Sequence, residues 1–132
     1  LAYTYSLHYA ESSLMPLLLM SLIMSRIETK APALVRPIAR KIAQSVRAGY
    51  VDPNLERHLG FCDKTLQESA WFCGDAMTAA DCQMSFAIEA AEVRTDLRSE
   101  YPHLADFLDR IRARPAYKAA LDRGGHYELM SD

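Results

Sequence analysis

The residues best suited to a ligand pocket lie close together near the start of the chain. Tyr9, Glu11, Ser12 and Met15 fall within two turns of a predicted helix. Tyrosine and methionine suit apolar ligands of varied shape, because they offer flat or polarisable surface. Glu11 is an acid beside an apolar stripe, so it lies either on the surface or in a cleft, where it could pair with a ligand ammonium or a backbone amide. The alternative for each of these residues is an ordinary place in the core or an interface.

Other constellations that could do chemistry are weak. His8 and Glu11 are three residues apart and share a helix face, but no third metal ligand is near them in sequence and the other histidines are scattered. No Gly-rich phosphate loop and no recognisable serine or cysteine nucleophile is present. We therefore predict neither a metal site nor a catalytic residue within this chain. The basic residues along the second predicted helix indicate a solvated face, or else a subunit or anion contact: Arg36, Arg40, Lys41 and Arg47.

The three cysteines, Cys62, Cys73 and Cys82, lack metal-ligand spacing. Their odd number favours reduced thiols in a cytoplasmic protein. Cys82 falls near the start of a predicted helix, where the helix dipole could lower the thiol pKa. An apolar staple with Met77 would instead bury it, and we favour that core role.

The composition is that of an ordinary globular domain. Half of the 132 residues are apolar and 24% are charged, which is enough for one hydrophobic core. The net charge of -2 predicts no recruitment of nucleic acid or of an anionic membrane. The longest apolar run, Leu14 to Met20, is far too short to cross a bilayer. Because the first residue is Leu1, we expect a piece of a longer product. The opening carries polar and charged residues and no basic n-region, so we do not expect a signal peptide.

Every periodic segment predicts a helix, so the expected fold class is all-α. Pro16 should kink the first helix, and Pro37 indicates a mild kink in the second helix or a late start of it. Gly49 should end the second helix and Asp52 should cap the third. The tail from His126 to Asp132 is expected to be a surface strap. The apolar spacing of the second helix predicts a buried stripe of Leu34, Ile38, Ile42 and Val46. The predicted helices cover about residues 2–28, 32–49, 52–69, 79–93, 102–113 and 115–124.

The segment from Trp71 to Asp81 ends in residues whose chemistry predicts the start of a helix. Thr78 is a good N-cap, and Asp81, the third helical residue, can reach back to the Thr78 N–H in a capping box. This loop and cap resemble the start of the buried helix in the C-terminal domain of glutathione transferases. The segment 8–16 is similar to the first helix of that domain, in a bacterial and fungal branch. Two further patterns resemble its closing helices: Tyr101-Pro102-His103-Leu104 and Arg112-Ala113-Arg114-Pro115-Ala116-Tyr117.

The resemblance covers nearly the whole chain, so it implies one such domain over residues 1–132, an orthogonal bundle of about six helices. The resemblance further implies a thioredoxin-like N-terminal domain outside this chain, which would bind glutathione as co-substrate and supply the activating Ser, Tyr or Cys. This chain would line the pocket for the electrophile and form a homodimer through its first two helices. Tyr9, Glu11, Ser12 and Met15 are then the expected pocket residues, and Thr78 and Asp81 the structural cap. Some relatives carry histidine where this chain has Glu11.

Two functions follow from this resemblance. The first is the substrate-binding and dimerisation domain of a cytoplasmic, detoxifying glutathione transferase. The second is a non-catalytic member of the same fold that serves as a binding or assembly module, because fold alone does not fix function. An upstream thioredoxin-like domain with a well-placed Ser, Tyr or Cys would favour the first.

Overall fold

The computed structural model describes residues 2–125, apart from the side chain of Ala2, and this part of the chain forms an all-α fold. The fold class predicted from the sequence is confirmed. The expected strap from His126 to Asp132 lies outside the described residues. The helices, in chain order, are α1 (Ala2–Tyr9), α2 (Met15–Lys30), α3 (Arg36–Val46), α4 (Asp52–Glu68), α5 (Ala79–Glu92), α6 (Leu97–Glu100), α7 (Pro102–Ala113) and α8 (Pro115–Gly124).

Two π-helical turns join four of these helices into two long helical bodies. The turn Ala10–Leu14 connects α1 to α2, and the turn Arg47–Val51 connects α3 to α4. Each turn ends shortly before a proline, Pro16 or Pro53. A proline inside a helix lacks its N–H and clashes with the carbonyl four residues back, and the wider π turn is one way to relieve that conflict.

The second π turn corrects two predicted boundaries. Gly49 does not end a helix, and Asp52 does not cap one, because the helical backbone continues through both residues. The N–H of Asp52 bonds the carbonyl of Arg47, five residues back. The start at Pro32 is also wrong, since the chain makes a turn there. The α3 helix begins at Arg36, which is the late start that Pro37 indicated.

The α5 helix forms the centre of the core. It packs against α1, α2 and α7, and nine of its residues are buried. Four of these are alanines, whose small side chains allow neighbouring helices to approach closely. The predicted inward stripes of α4, α5 and α7 are all buried: Leu55, Leu59, Cys62 and Leu66; Met84, Ile88 and Ala91; Leu104, Phe107, Leu108 and Ile111.

Thr78 and Asp81 hold the start of α5. Both halves of the capping box are present. Asp81 Oδ2 accepts the Thr78 N–H at 2.7 Å and the Thr78 hydroxyl at 2.9 Å. Asp81 Oδ1 also accepts the N–H of Phe72 at 2.9 Å. This fully buried carboxylate therefore fixes the preceding loop as well as the helix.

The predicted buried stripe of α3 is wrong. Leu34, Ile38 and Ile42 are 93%, 65% and 59% exposed, and Val46 is half-buried. The reason is that α3 packs mainly against α2 and buries only Ala43. On α2, Leu19, Ile23 and Ile27 are likewise exposed.

The helical stretch from Tyr3 to Lys30 is, by length and composition alone, apolar enough to cross a membrane. The length of uninterrupted apolar runs did not indicate this, because polar residues divide the stretch into short runs. One third of its apolar window is buried inside the domain. Core packing thus accounts for part of its apolar character, as in the core helices of globular proteins.

Candidate functional site

Tyr9 lies in an aromatic cluster between α1 and α4. Its ring centre is 5.5 Å from that of Tyr5, 5.5 Å from that of Phe61 and 5.4 Å from that of His58. The Tyr9 hydroxyl makes a short hydrogen bond to Nδ1 of His58. This contact ties the first helix to α4 across 49 positions of sequence.

Burial sets the protonation of this pair. It raises the pKa of Tyr9, with smaller contributions from Cys62 and Tyr5. Burial lowers the pKa of His58, and the neighbouring Arg57 lowers it further. A phenol that holds its proton and an imidazole that stays neutral fit a bond donated by Tyr9 to His58.

A cavity of 170 Å³ opens beside this cluster. One of its wall residues is Cys62. Burial and the adjacent Asp63 raise the pKa of the Cys62 thiol to about 12, so this thiol stays protonated and is a poor nucleophile. The walls are mainly apolar and aromatic, with a few polar groups, which is the usual make-up of a small-molecule site. The cavity is lined by Tyr5, Ser6, Tyr9, Phe61, Cys62, Thr65, Phe72 and Met84.

The other predicted pocket residues do not line this cavity. Glu11 is exposed, and its carboxylate accepts a short hydrogen bond from the side-chain amide of Gln83 in α5. Ser12 is exposed, with its hydroxyl 3.5 Å from that of Ser13. Met15 is half-buried and packs against the core. The structure therefore separates Tyr9 from the other three.

Several residues of the site had no clear signal in the sequence. His58, Phe61 and Gln83 come from α4 and α5, far along the chain from Tyr9 and Glu11. In the sequence, His58 is one of several scattered histidines. The apolar stripe of α4 includes Cys62, which lies four residues after His58. Residues four apart share a helix face, so this spacing was the one sequence signal that His58 is near the core.

Cys82 differs from its prediction. It is exposed, whereas the expected staple with Met77 would bury it. Met77 itself packs against the core. The cysteines of the described residues are all free thiols. Within residues 2–125, no group of three or more His, Cys, Asp or Glu side chains could hold a metal ion.

Comparison with known proteins supports a family assignment. A family described as "Glutathione S-transferase, C-terminal domain" matches residues 29–123. "Glutathione S-transferase 3" of Schizosaccharomyces pombe is 27% identical over 117 residues, which is 89% of this chain and 48% of that protein. "Glutathione S-transferase 1" of Saccharomyces cerevisiae is 25% identical over 122 residues, 90% of this chain and 52% of that protein.

No solved structure shows a significant match. The chain spans about half the length of the curated relatives it matches. The family match covers most of the chain and includes the buried helix α5 with its Thr78–Asp81 cap. This chain belongs to the glutathione S-transferase C-terminal domain family.

Proposed function

We propose that this chain is the half of a cytoplasmic glutathione transferase that binds the electrophilic co-substrate. The observation that carries the proposal is the aromatic cavity at Tyr9, in a chain that belongs to this family. A small cavity with flat aromatic walls suits an apolar or aromatic electrophile. The three free cysteines fit a reducing compartment.

The glutathione-binding and thiol-activating groups would come from a thioredoxin-like N-terminal domain outside this chain. Glutathione transfer needs a group that stabilises the thiolate of glutathione. In the proposed cavity, Cys62 stays protonated and the Tyr9–His58 pair is internally hydrogen-bonded. The 132-residue chain alone is therefore expected to lack transferase activity.

Glu11, Ser12 and Met15 form a second part of the proposed site, facing the N-terminal domain. Glu11 is exposed, so its carboxylate is accessible to a ligand ammonium. Its bond to Gln83 orients that carboxylate from the first turns of α5. In this arrangement Tyr9 contacts the electrophile, while Glu11 lies nearer the glutathione.

A homodimer through the first two helical bodies is part of the proposal. The exposed apolar residues of α2 and α3 support it, because large unpaired apolar surface commonly marks an interface. The same surface would serve the alternative function, a non-catalytic assembly module. An upstream domain without a thiol-activating residue would favour that alternative.

The test uses the full-length protein and a chloronitrobenzene as electrophile. Replacing Tyr9 with Phe removes the hydroxyl that holds His58, and Phe61→Ala opens the cavity wall. We expect each variant to raise KM for the electrophile about tenfold, as for the loss of one or two kcal/mol of binding, and to leave KM for glutathione unchanged.

Tyr3→Phe is the matched control, since Tyr3 is exposed and does not line the cavity. Electrophile KM values that stay at the wild-type level in Tyr9→Phe and Phe61→Ala would place the pocket elsewhere. A full-length protein that conjugates no electrophile from a broad panel would support the binding-module function instead.

A further inference from the structure

A second cavity, at the other end of α5, is polar and has no part in the proposed transferase site. Its volume is 270 Å³, and it lies between α2, the π turn Arg47–Val51, the first turns of α4 and the segment after α5. Its lining residues are Ser21, Arg47, Asp52, Leu55, Glu56, Leu59, Arg94, Thr95, Asp96, Glu100 and Tyr101.

Two guanidinium groups lie on the α2 side of this cavity. Arg94 Nη1 donates to the hydroxyl of Ser21, which is 3% exposed, at 3.1 Å. Arg47 Nη1 lies 3.7 Å from Oε1 of Glu28 in α2. At that distance the two groups form an ion pair but no hydrogen bond. Arg47 Nε and Glu28 Oε1 are both buried, and neither atom makes a hydrogen bond.

The π turn is what places Arg47 there. Its Nε is 4.0 Å from Oδ1 of Asp52, again too long for a hydrogen bond. The Arg47 side chain is therefore held electrostatically between α2 and α4, and its buried Nε makes no hydrogen bond. Buried polar atoms without a hydrogen bond commonly indicate a site for water or a ligand.

Carboxylates line the other walls. Asp52 and Glu56 come from α4, and Asp96 and Glu100 come from the segment that follows α5. Tyr101 lies among them: burial raises its pKa, and the nearby Glu100 and Glu56 raise it further. The cavity thus has two guanidinium groups on the side near α2, where Glu28 lies beside Arg47, and four carboxylates on the side near α4 and α6.

This charge separation selects between ligand classes. A simple anion would meet four carboxylates, and a simple cation would meet two guanidinium groups. A ligand that carries both charges satisfies both walls, because guanidinium groups bind carboxylates well and carboxylates bind an ammonium. We propose that this cavity binds a small zwitterion of the amino-acid class, with its carboxylate toward Arg47 and Arg94.

The size of the cavity agrees with this class. Sites for drug-sized ligands begin at about 300 Å³, so 270 Å³ suits a smaller ligand such as a free amino acid. The probe is L-glutamine, titrated into the isotopically labelled 132-residue chain and followed by amide NMR shifts. Propionate and propylamine, which each carry one of the two charges, are the comparison probes.

We expect saturable shifts with L-glutamine at the amides of residues 47–52 and 94–101, and at least about tenfold weaker binding of either single-charge probe, since each lacks one charged hydrogen-bonding partner. Arg47→Gln and Asp96→Asn should each weaken L-glutamine binding about tenfold for the same reason. Arg40→Gln on exposed α3 and Glu68→Gln at the end of α4 are the charge-matched controls, and neither residue lines the cavity.

Circular dichroism shows whether each variant is folded. Because the two substitutions lie on different walls of the cavity, one folded variant is enough to test the proposal if the other does not fold. Absence of saturable shifts in the wild-type chain would overturn the proposal. So would binding of propionate or propylamine as tight as that of L-glutamine, or unchanged binding in both folded variants. The proposed transferase function does not depend on the result.

Discussion

Buried carboxylates have different roles in this molecule, according to their hydrogen-bond donors. Asp81 accepts hydrogen bonds from Phe72 and Thr78 and stabilises a helix start. Glu89, 4% exposed, accepts from Arg112 at 3.3 Å and from Tyr117 at 2.7 Å. Glu11, by contrast, is exposed and has one amide donor. Only a carboxylate that remains accessible, such as Glu11, is suited to contact a ligand.

Replacing Asp81 with Asn should destabilise the fold strongly. The amide nitrogen cannot accept a hydrogen bond, so donors of Thr78 or Phe72 would be buried without an acceptor. We expect the free energy of unfolding to fall by about 3 kcal/mol, because the substitution removes hydrogen bonds to a buried charged group. Chemical denaturation with a two-state fit measures this.

Asp75→Asn is the control, since Asp75 is exposed in the same loop. It should change the free energy of unfolding by less than about 0.5 kcal/mol. Thr78→Ala should cost roughly 1 kcal/mol, as for an ordinary cap. A stability of Asp81→Asn equal to that of Asp75→Asn would contradict the structural role given to Asp81.

At the scale of the helices, proline and small residues decide how the elements are joined and packed. The π turns before Pro16 and Pro53 keep two long helical bodies continuous. The short α6 positions Tyr101 and Pro102 at the start of α7. The last helix, α8, has no buried residue of its own. Its contact with the core therefore depends strongly on the half-buried Tyr117 and its bond to Glu89.

Replacing Tyr117 with Phe should loosen α8 selectively. The substitution removes the hydroxyl donor to Glu89 and keeps the ring. We expect amide hydrogen exchange in Pro115–Gly124 to accelerate about fivefold, equivalent to about 1 kcal/mol for one hydrogen bond. Exchange in α5 and α7 should change much less, because their apolar contacts remain.

Tyr50→Phe makes the same chemical change at an exposed site in the π turn. It should leave exchange in α8 unaltered. Equal protection of α8 in the wild-type chain and in Tyr117→Phe would show that the Glu89 contact does not anchor this helix.

At the scale of the whole molecule, charge is distributed unevenly although the net charge is only -2. Between Met15 and Val51 there is a single acidic residue, Glu28. This stretch contains the helical hairpin of α2 and α3, which also exposes apolar residues. An anionic and an apolar contact are therefore both favoured there. The basic residues of this stretch are Arg26, Lys30, Arg36, Arg40, Lys41 and Arg47.

The proposed homodimer predicts a specific response to mutation and to salt. Ile38→Glu places a charge on the exposed apolar face of α3 and should weaken self-association about tenfold or more, as for an interface residue that contributes over 1 kcal/mol. A twofold contact between two basic hairpins brings like charges together, so added NaCl should strengthen association by screening. Sedimentation equilibrium measures both effects.

Gln44→Glu adds the same charge to α3 at an exposed polar position and serves as the control. It should reduce association much less than Ile38→Glu. A wild-type chain that stays monomeric at every concentration, or two variants with the same effect, would argue against a dimer through this face.

The sequence by itself determined the helical class and most of the core. Periodic apolar residues specified the buried faces of α4, α5 and α7, because a helix repeats every 3.6 residues and residues at that spacing share the face that packs on the core. The Thr78–Asp81 cap and the loop before it were also readable, since capping depends on residues close in sequence. These local features, with the closing proline patterns, were sufficient to indicate the family.

The tertiary structure decided what distant residues do together. The Tyr9–His58 contact, the Glu11–Gln83 contact and the polar cavity at Arg47 each join helices far apart in sequence, which no local spacing encodes. The exposure of Ile38 was likewise decided by packing, because an amphipathic pattern does not say which surface will cover its apolar face. Gly49 continues a helix for a related reason: the π turn before Pro53 satisfies the backbone where local propensity predicts a stop.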